Sequence, residues 1–328
     1  MTAARARLTL DDVRPLVREA LGRARRAVGV ERLTGGSKKG TYRVALDDGP
    51  TVVVHVWTAD EDYWPEPHDT SGDDPADPFS PGTGFGLFAS AVRELTAAGA
   101  RTPEVYLLRE PYAVVQDLSG PGLDELLGRD PALAGAPLDE LADILALLRS
   151  RSGPAPGKVG PVRAGHRTTR GTTCAGLVYD RALADLAEAA VRVPAIAEVR
   201  ERVAGELAER YGQVAPREAL SVIHGELGPD HVRLDARLRP VLIDVEGTMF
   251  FDAEWEHAFL RLRFGHHYPR LVRGAPLDPH RLSLYALAHR LSLVAGPLRL
   301  LDGDFPDREF MLSIVREHTA GVRAAVGR

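Results

Sequence analysis

The chain has 328 residues, 44% of them hydrophobic, with a formal net charge of -5 and only three Lys (Lys38, Lys39, Lys158) among 41 basic residues. That is enough apolar material for one large domain or two lobes, and the charge balance offers no basic field for nucleic acid or an anionic membrane surface. The lone Cys174 excludes an internal disulfide and a CxxC zinc or redox site, and no apolar run approaches the roughly 20 residues of a membrane span, so a cytoplasmic protein is expected.

In chain order, TLDDVRPLVREALGRARRA begins with Thr9 three residues before Asp12, a capping-box-like start, and places Val13, Leu16, Val17, Ala20 and Leu21 on one helical face. VERLTGG, GTYRVALDDG and PTVVVHVW follow, β-branched runs parted by Gly-rich or DDG turns, which predict three antiparallel strands. Phe85, Phe88, Val92 and Leu95 recur at helical spacing up to Gly99, and EVYLLRE and PYAVVQDL supply two more strands. A five-stranded sheet with one helix packed on it is expected. Beyond about residue 118, apolar residues three or four apart predict helices over 121–128, 137–150, 176–190, 194–211, 252–263, 279–296 and 304–325, with short strands near 219–223, 231–235 and 239–244. The fold class is therefore α+β, divided into 1–117 and 118–328 at the DLSGPG stretch.

Between Ala59 and Pro78 stand eight acids and no Lys or Arg. Such a segment reads either as a solvated loop or as an acidic lid over a cationic substrate.

The chemistry concentrates in residues 219–256. An apolar strand delivers the polar loop HGELGPDHVRLD, and a second, PVLI, delivers Asp244. His224, Glu226 and His231, followed by Ile243, Asp244, Val245 and Glu246, keep the spacing of H-x-D-x-x-x-x-N and I-D-x-E motifs. This pattern resembles the aminoglycoside phosphotransferase family, small-molecule relatives of the protein kinases, and the order of elements agrees over nearly the whole chain. The resemblance implies a protein-kinase-like fold of two lobes, a nucleotide-binding lobe at 1–117 and a catalytic, substrate-binding lobe at 118–328.

Phosphoryl transfer needs a carboxylate beside the attacking hydroxyl and oxygen ligands that hold Mg²⁺ against the nucleotide phosphates. By resemblance Glu226 is the base, Asp244 the principal metal ligand and His224 the residue that holds the loop in shape. His231 takes the second metal position, where the family carries Asn; imidazole suits Mg²⁺ poorly, and adjacent Asp230 offers an oxygen instead. Glu246 and Glu256 are implied as supporting acids, with Asp252 as the rival of Glu256 for hydrogen bonding to the catalytic loop. Glu226 replaces Asp and adds one methylene, and a misplacement of about 1 Å costs on the order of a hundredfold in rate.

In the small lobe, His55 stands where the family carries its phosphate-binding Lys, and Phe88 falls about where the partner Glu belongs. Gly35, Gly36, Ser37, Lys38, Lys39 and Gly40 occupy the phosphate-covering loop, and Lys38 or Lys39 is expected to supply the cation that His55 cannot. The loop lacks the Lys after Gly40 and the following helix that a Walker A motif requires. At the lobe boundary, Gln116 and Leu118 resemble the hinge whose main chain binds adenine. The implied donor is ATP or GTP with Mg²⁺, and the implied partner is a small-molecule acceptor rather than nucleic acid or a membrane. Replacement of Glu226, His231, His55 and Phe88 leaves an alternative: a weak or inactive relative that binds a nucleotide or metabolite and acts through a partner.

Overall fold

The computed structural model describes residues 5–64, 74, 76–80, 84–217, 219–274 and 276–327. In chain order the elements are α1 (Leu10–Leu21), β1 (Ala27–Arg32), β2 (Gly40–Leu46), β3 (Thr51–Val56), α2 (Phe85–Ala97), β4 (Val105–Arg109), β5 (Tyr112–Gln116), α3 (Leu123–Arg129), α4 (Gly135–Arg149), β6 (Gly157–Lys158) and α5 (Val159–Arg163). These are followed by α6 (Cys174–Arg192), α7 (Pro194–Ala197), α8 (Arg200–Gly212), β7 (Ser221–Ile223), β8 (Val232–Leu234), β9 (Pro240–Leu242), β10 (Met249–Phe251), α9 (Ala253–Phe264), α10 (Pro279–Leu300) and α11 (Arg308–Ala325). They gather into two compact units, one from Met1–Trp64, Pro81–Glu140 and Asp230–Glu246, the other from Pro65–Ser80, Leu141–Pro229 and Gly247–Arg328.

The first unit is built on an antiparallel sheet of order β1-β2-β3-β5-β4. β2 alternates buried and half-buried residues along its length, as a strand with one covered face must. The covered face is the core: Tyr42, Val44, Val52, Val54, Val56 and Val114 pack against Val13, Leu16 and Val17 of α1. Thr9 starts that helix with the expected box, its N–H and Oγ1 donating to Asp12 at 2.8 and 2.6 Å. The short hairpin β8-β9 belongs to this unit, and the Ile243 N–H donates to the His231 carbonyl at 3.0 Å, fixing 231 beside 243.

The second unit is mainly helical. α10, with Leu284, Leu287, Leu291 and Val294 buried, packs against α6, α8, α9 and α11. A three-stranded sheet of order β6-β10-β7 carries the residues before Gly225 and before α9. Two of its strands, β6 and β10, are absent from the sequence expectation: Gly157–Lys158 is only two residues long, and Met249–Phe251 is buried throughout and so does not alternate. The single helix expected over 194–211 is two, α7 and α8; Ile196, Val199 and Val203 are all buried, so apolar spacing continues across the break and hides it. No helix among the described residues is long and apolar enough to cross a membrane.

Candidate active site

The Gly-rich turn between β1 and β2 has a backbone that only small residues allow. Gly35 lies at φ 106°, in the left-handed region, and a Cβ on Gly36 would stand 2.6 Å from the Lys39 carbonyl oxygen. Ser37 anchors the turn from outside: its carbonyl accepts the Tyr63 N–H at 2.8 Å and its Oγ accepts the Trp64 indole N–H at 3.1 Å. The Lys38 ammonium lies 5.0 Å from the Trp64 ring centroid, within cation–π range. Lys39 turns inward, 8% exposed, and donates to Asp244 Oδ1 at 2.7 Å and to Glu246 Oε1 and Oε2 at 2.6 and 2.8 Å. Burial alone would lower its pKa, but the two carboxylates outweigh it and the pKa is raised, so Lys39 is a fixed positive charge.

His55 points away from that role. On β3 it pairs with Thr41, whose hydroxyl lies 3.2 Å from Nδ1, and its ring meets the edge of Phe88 at 5.6 Å. Burial, aided by the nearby Lys39 charge, pushes its pKa down to about 3, so the imidazole is neutral at physiological pH. A neutral His–Phe contact thus occupies the place where the resemblance implied a Lys–Glu ion pair.

Asp244 follows β9 with φ 58°, a left-handed conformation that costs a non-glycine residue free energy and clusters at functional positions. Its Oδ2 lies 3.4 Å from His231 Nε2, and Asp230 lies 3.9 Å from the same nitrogen. The side chain is 45% exposed, whereas that of Glu246 is 12% exposed. Asp244 and Glu246 are hard oxygen donors and fit Mg²⁺; His231 does not, since its ring nitrogen is a soft match and faces a carboxylate oxygen. Among the described residues, no three His, Cys, Asp or Glu side chains gather as a metal site.

In the second unit, β7 ends at Ile223, His224 is fully buried, and Gly225 takes φ 95° with its Cα against the Gly247 carbonyl, where a Cβ would approach to 2.6 Å. Glu226 follows in an exposed position. Glu256, in the first turn of α9, accepts the Gly225 N–H at 3.0 Å and the Leu227 N–H at 3.3 Å. Asp252 is engaged elsewhere, accepting Arg281 Nε at 2.9 Å and the Tyr285 hydroxyl. Burial raises the Glu256 pKa, while the backbone donors of the loop pull it back down and Glu226 adds to the rise.

Of the two residues expected at the hinge, Gln116 donates its N–H to the Glu104 carbonyl at 2.8 Å, and the Leu118 carbonyl accepts Arg233 Nη2 at 3.4 Å. The Gly-rich turn, His55, Gln116, Leu118, His231, Asp244 and Glu246 thus belong to the first unit, and His224, Glu226 and Glu256 to the second. The acidic 59–78 stretch is in part structural. Glu61 is 1% exposed and accepts Arg7, Arg32 and Tyr42; Asp74 accepts from Thr168 and Thr169, and Asp77 pairs with Arg170. Glu66, Asp69 and Asp73 lie outside the described residues. Tyr63 and Trp64, which hold Ser37, had no sequence signal beyond being aromatic after an acidic run.

No protein-family model matches the chain, and no curated protein matches it. Solved structures do. A thermostable mutant of aminoglycoside phosphotransferase APH(4)-Ia superposes with a TM-score of 0.60 at 18% identity, over 94% of this chain and 99% of that one. Choline kinase LicA from Streptococcus pneumoniae superposes with a TM-score of 0.62 at 14% identity, over 95% and 98%. The fold is protein-kinase-like. The small antiparallel sheet and the mainly helical unit give the two-lobe α+β fold class expected from the sequence, while residues 118–140 and 230–246 fall in the first unit.

Proposed function

We propose that the chain is a nucleotide-dependent phosphotransferase that moves the γ-phosphate of ATP or GTP to a hydroxyl of a small, aminoglycoside-like or sugar-like acceptor. The observation that carries this reading is the convergence of a Gly-rich-turn lysine with two carboxylates at the end of a strand: Lys39 on Asp244 and Glu246. The aminoglycoside phosphotransferase of the same fold has been seen in ternary complex with ADP and hygromycin B, a nucleotide together with a small-molecule acceptor.

In this reading residues 1–117 bind the nucleotide, with 35–40 over the phosphates and the main chain at Gln116 and Leu118 on the base, and residues 118–328 carry catalysis and acceptor binding. Glu226 orients the acceptor hydroxyl and takes its proton as the new O–P bond forms and the bond to the β-phosphate breaks, releasing nucleoside diphosphate. Glu256 and His224 hold the loop that presents Glu226. Asp244 and Glu246 would hold Mg²⁺, which when bound neutralises charge on the phosphates. With His55 neutral, Lys38 and Lys39 bring the protein's positive charge to this end of the sheet.

Isothermal titration with ATP and with GTP, each with and without Mg²⁺, tests the reading. Magnesium-dependent micromolar binding of one nucleotide is expected, and product formation from hydroxylated acceptors should fall in Glu226→Ala with nucleotide affinity kept. Binding of neither nucleotide sinks it.

A further inference from the structure

Lys39 is more than a charge on a Gly-rich turn. An ammonium has three N–H donors and no acceptor. Here it has three oxygens within reach, Asp244 Oδ1 at 2.7 Å and both Glu246 oxygens at 2.6 and 2.8 Å. One cation thus bridges two carboxylates, the connectivity a metal ion would make. Its turn is pinned by the tight approach at Gly36 and by Ser37 held from Tyr63 and Trp64. On the far side of Asp244, Oδ2 faces the His231 imidazole at 3.4 Å.

We propose that Lys39 is a tethered cation for the Asp244–Glu246 pair, taking the place of one of the two divalent ions that kinase-type phosphoryl transfer uses, so that this site accepts a single metal ion. The proposal rests on the phosphotransferase reading for its role in the reaction, but not for its binding consequence. It accounts for the departure at 231: an imidazole, unsuited to Mg²⁺, is tolerated there because the cation on Asp244 is already supplied from position 39.

The test is a titration with Mn²⁺ alone, read by the electron paramagnetic resonance of free Mn²⁺, on the full chain and its variants. Lys39→Met bares the two carboxylates and should bind Mn²⁺ at least about tenfold more tightly than the unmodified protein. Lys39→Arg, which keeps the charge, should not, and Lys39→Met with Glu246→Gln should lose the gain. A lysine that does not engage the two carboxylates in solution would give no gain in metal affinity. Equal or weaker Mn²⁺ binding by Lys39→Met overturns the proposal, and Lys39→Gln decides in the same way should the Met variant fail to fold. Repeating the titration with saturating AMP-PNP should give one bound Mn²⁺ per chain for the unmodified protein and two for Lys39→Met; two in both overturns it. If AMP-PNP does not bind at all, the phosphotransferase reading fails while the titration with Mn²⁺ alone still decides the role of Lys39.

Discussion

The Glu256 carboxylate accepts the backbone N–H of Gly225 across 31 positions of sequence, at 3.0 Å and in a fully buried setting. With the second bond to Leu227, it brackets Glu226 from both sides. Each N–H left buried without a partner costs about 1–3 kcal/mol. Glu256→Ala is therefore expected to lower the thermal midpoint by several degrees, at roughly 2–4 °C per kcal/mol, and to lower turnover without weakening nucleotide binding. An unchanged midpoint in calorimetry would show that the loop is held by other groups. Because the folded-state pKa of Glu256 is raised above its ordinary value, the native protein binds the extra proton, so stability from this group is present at low pH and declines as pH rises through the raised value; Glu256→Gln should remove that part of the slope.

His55 carries the opposite dependence. Its folded pKa, about 3, lies below the ordinary 6.5, so its contribution is complete above about pH 6.5 and is lost as pH falls toward 3. Replacing it by Phe keeps a ring against Phe88 and removes the titration. Denaturant unfolding between pH 7 and pH 4 should then show a shallower loss of stability than in the unmodified protein. His257 and His289, both pushed down to about 4 by burial, retain their share of the acid sensitivity.

Glu226 is longer by one methylene than the Asp of the resembled motif. If the loop has been refitted around the longer side chain, Glu226→Asp draws the carboxylate back by about 1 Å and lowers turnover on the order of a hundredfold. If the Glu merely impairs an otherwise unchanged site, the same variant becomes faster. Steady-state turnover with the best acceptor separates the two, and higher turnover in Glu226→Asp would rule out the refitted loop.

Asp252 and Arg281 are 3% and 4% exposed and joined at 2.9 Å, with Tyr285 on the same carboxylate. The pair ties the start of α9, and hence Glu256, to the start of α10. Arg281→Met strands a buried carboxylate and should cost about 3–5 kcal/mol, measured by urea unfolding. A loss under about 1 kcal/mol would mean that Arg217, 3.8 Å from Asp252, already carries the charge.

Much of this protein is legible from local pattern. Alternation in GTYRVAL, the apolar face of LDDVRPLVREAL, the glycines of TGGSKKG and an acid at the end of PVLI need no distant partner to be recognised, because each follows from the period of a strand or helix or from the steric needs of a turn. Those features determined the α+β class, the five-stranded sheet and the positions where an acid or a turn lysine stands. The tertiary structure alone decided between neighbours that the sequence leaves equivalent. Lys39 rather than Lys38 reaches Asp244, 205 positions away, because the twist of the turn sends adjacent side chains in different directions, one to the carboxylates and one to Trp64. Glu256 rather than Asp252 takes the loop, because four residues along, helix α9 presents Glu256 to the loop amides while Asp252, just before the helix, meets Arg281. Glu61, read as one acid among eight, is the buried anchor of Arg7, Arg32 and Tyr42. Burial and ion pairing of a carboxylate depend on which distant chain segments close over it, and that is set by packing, not by local spacing.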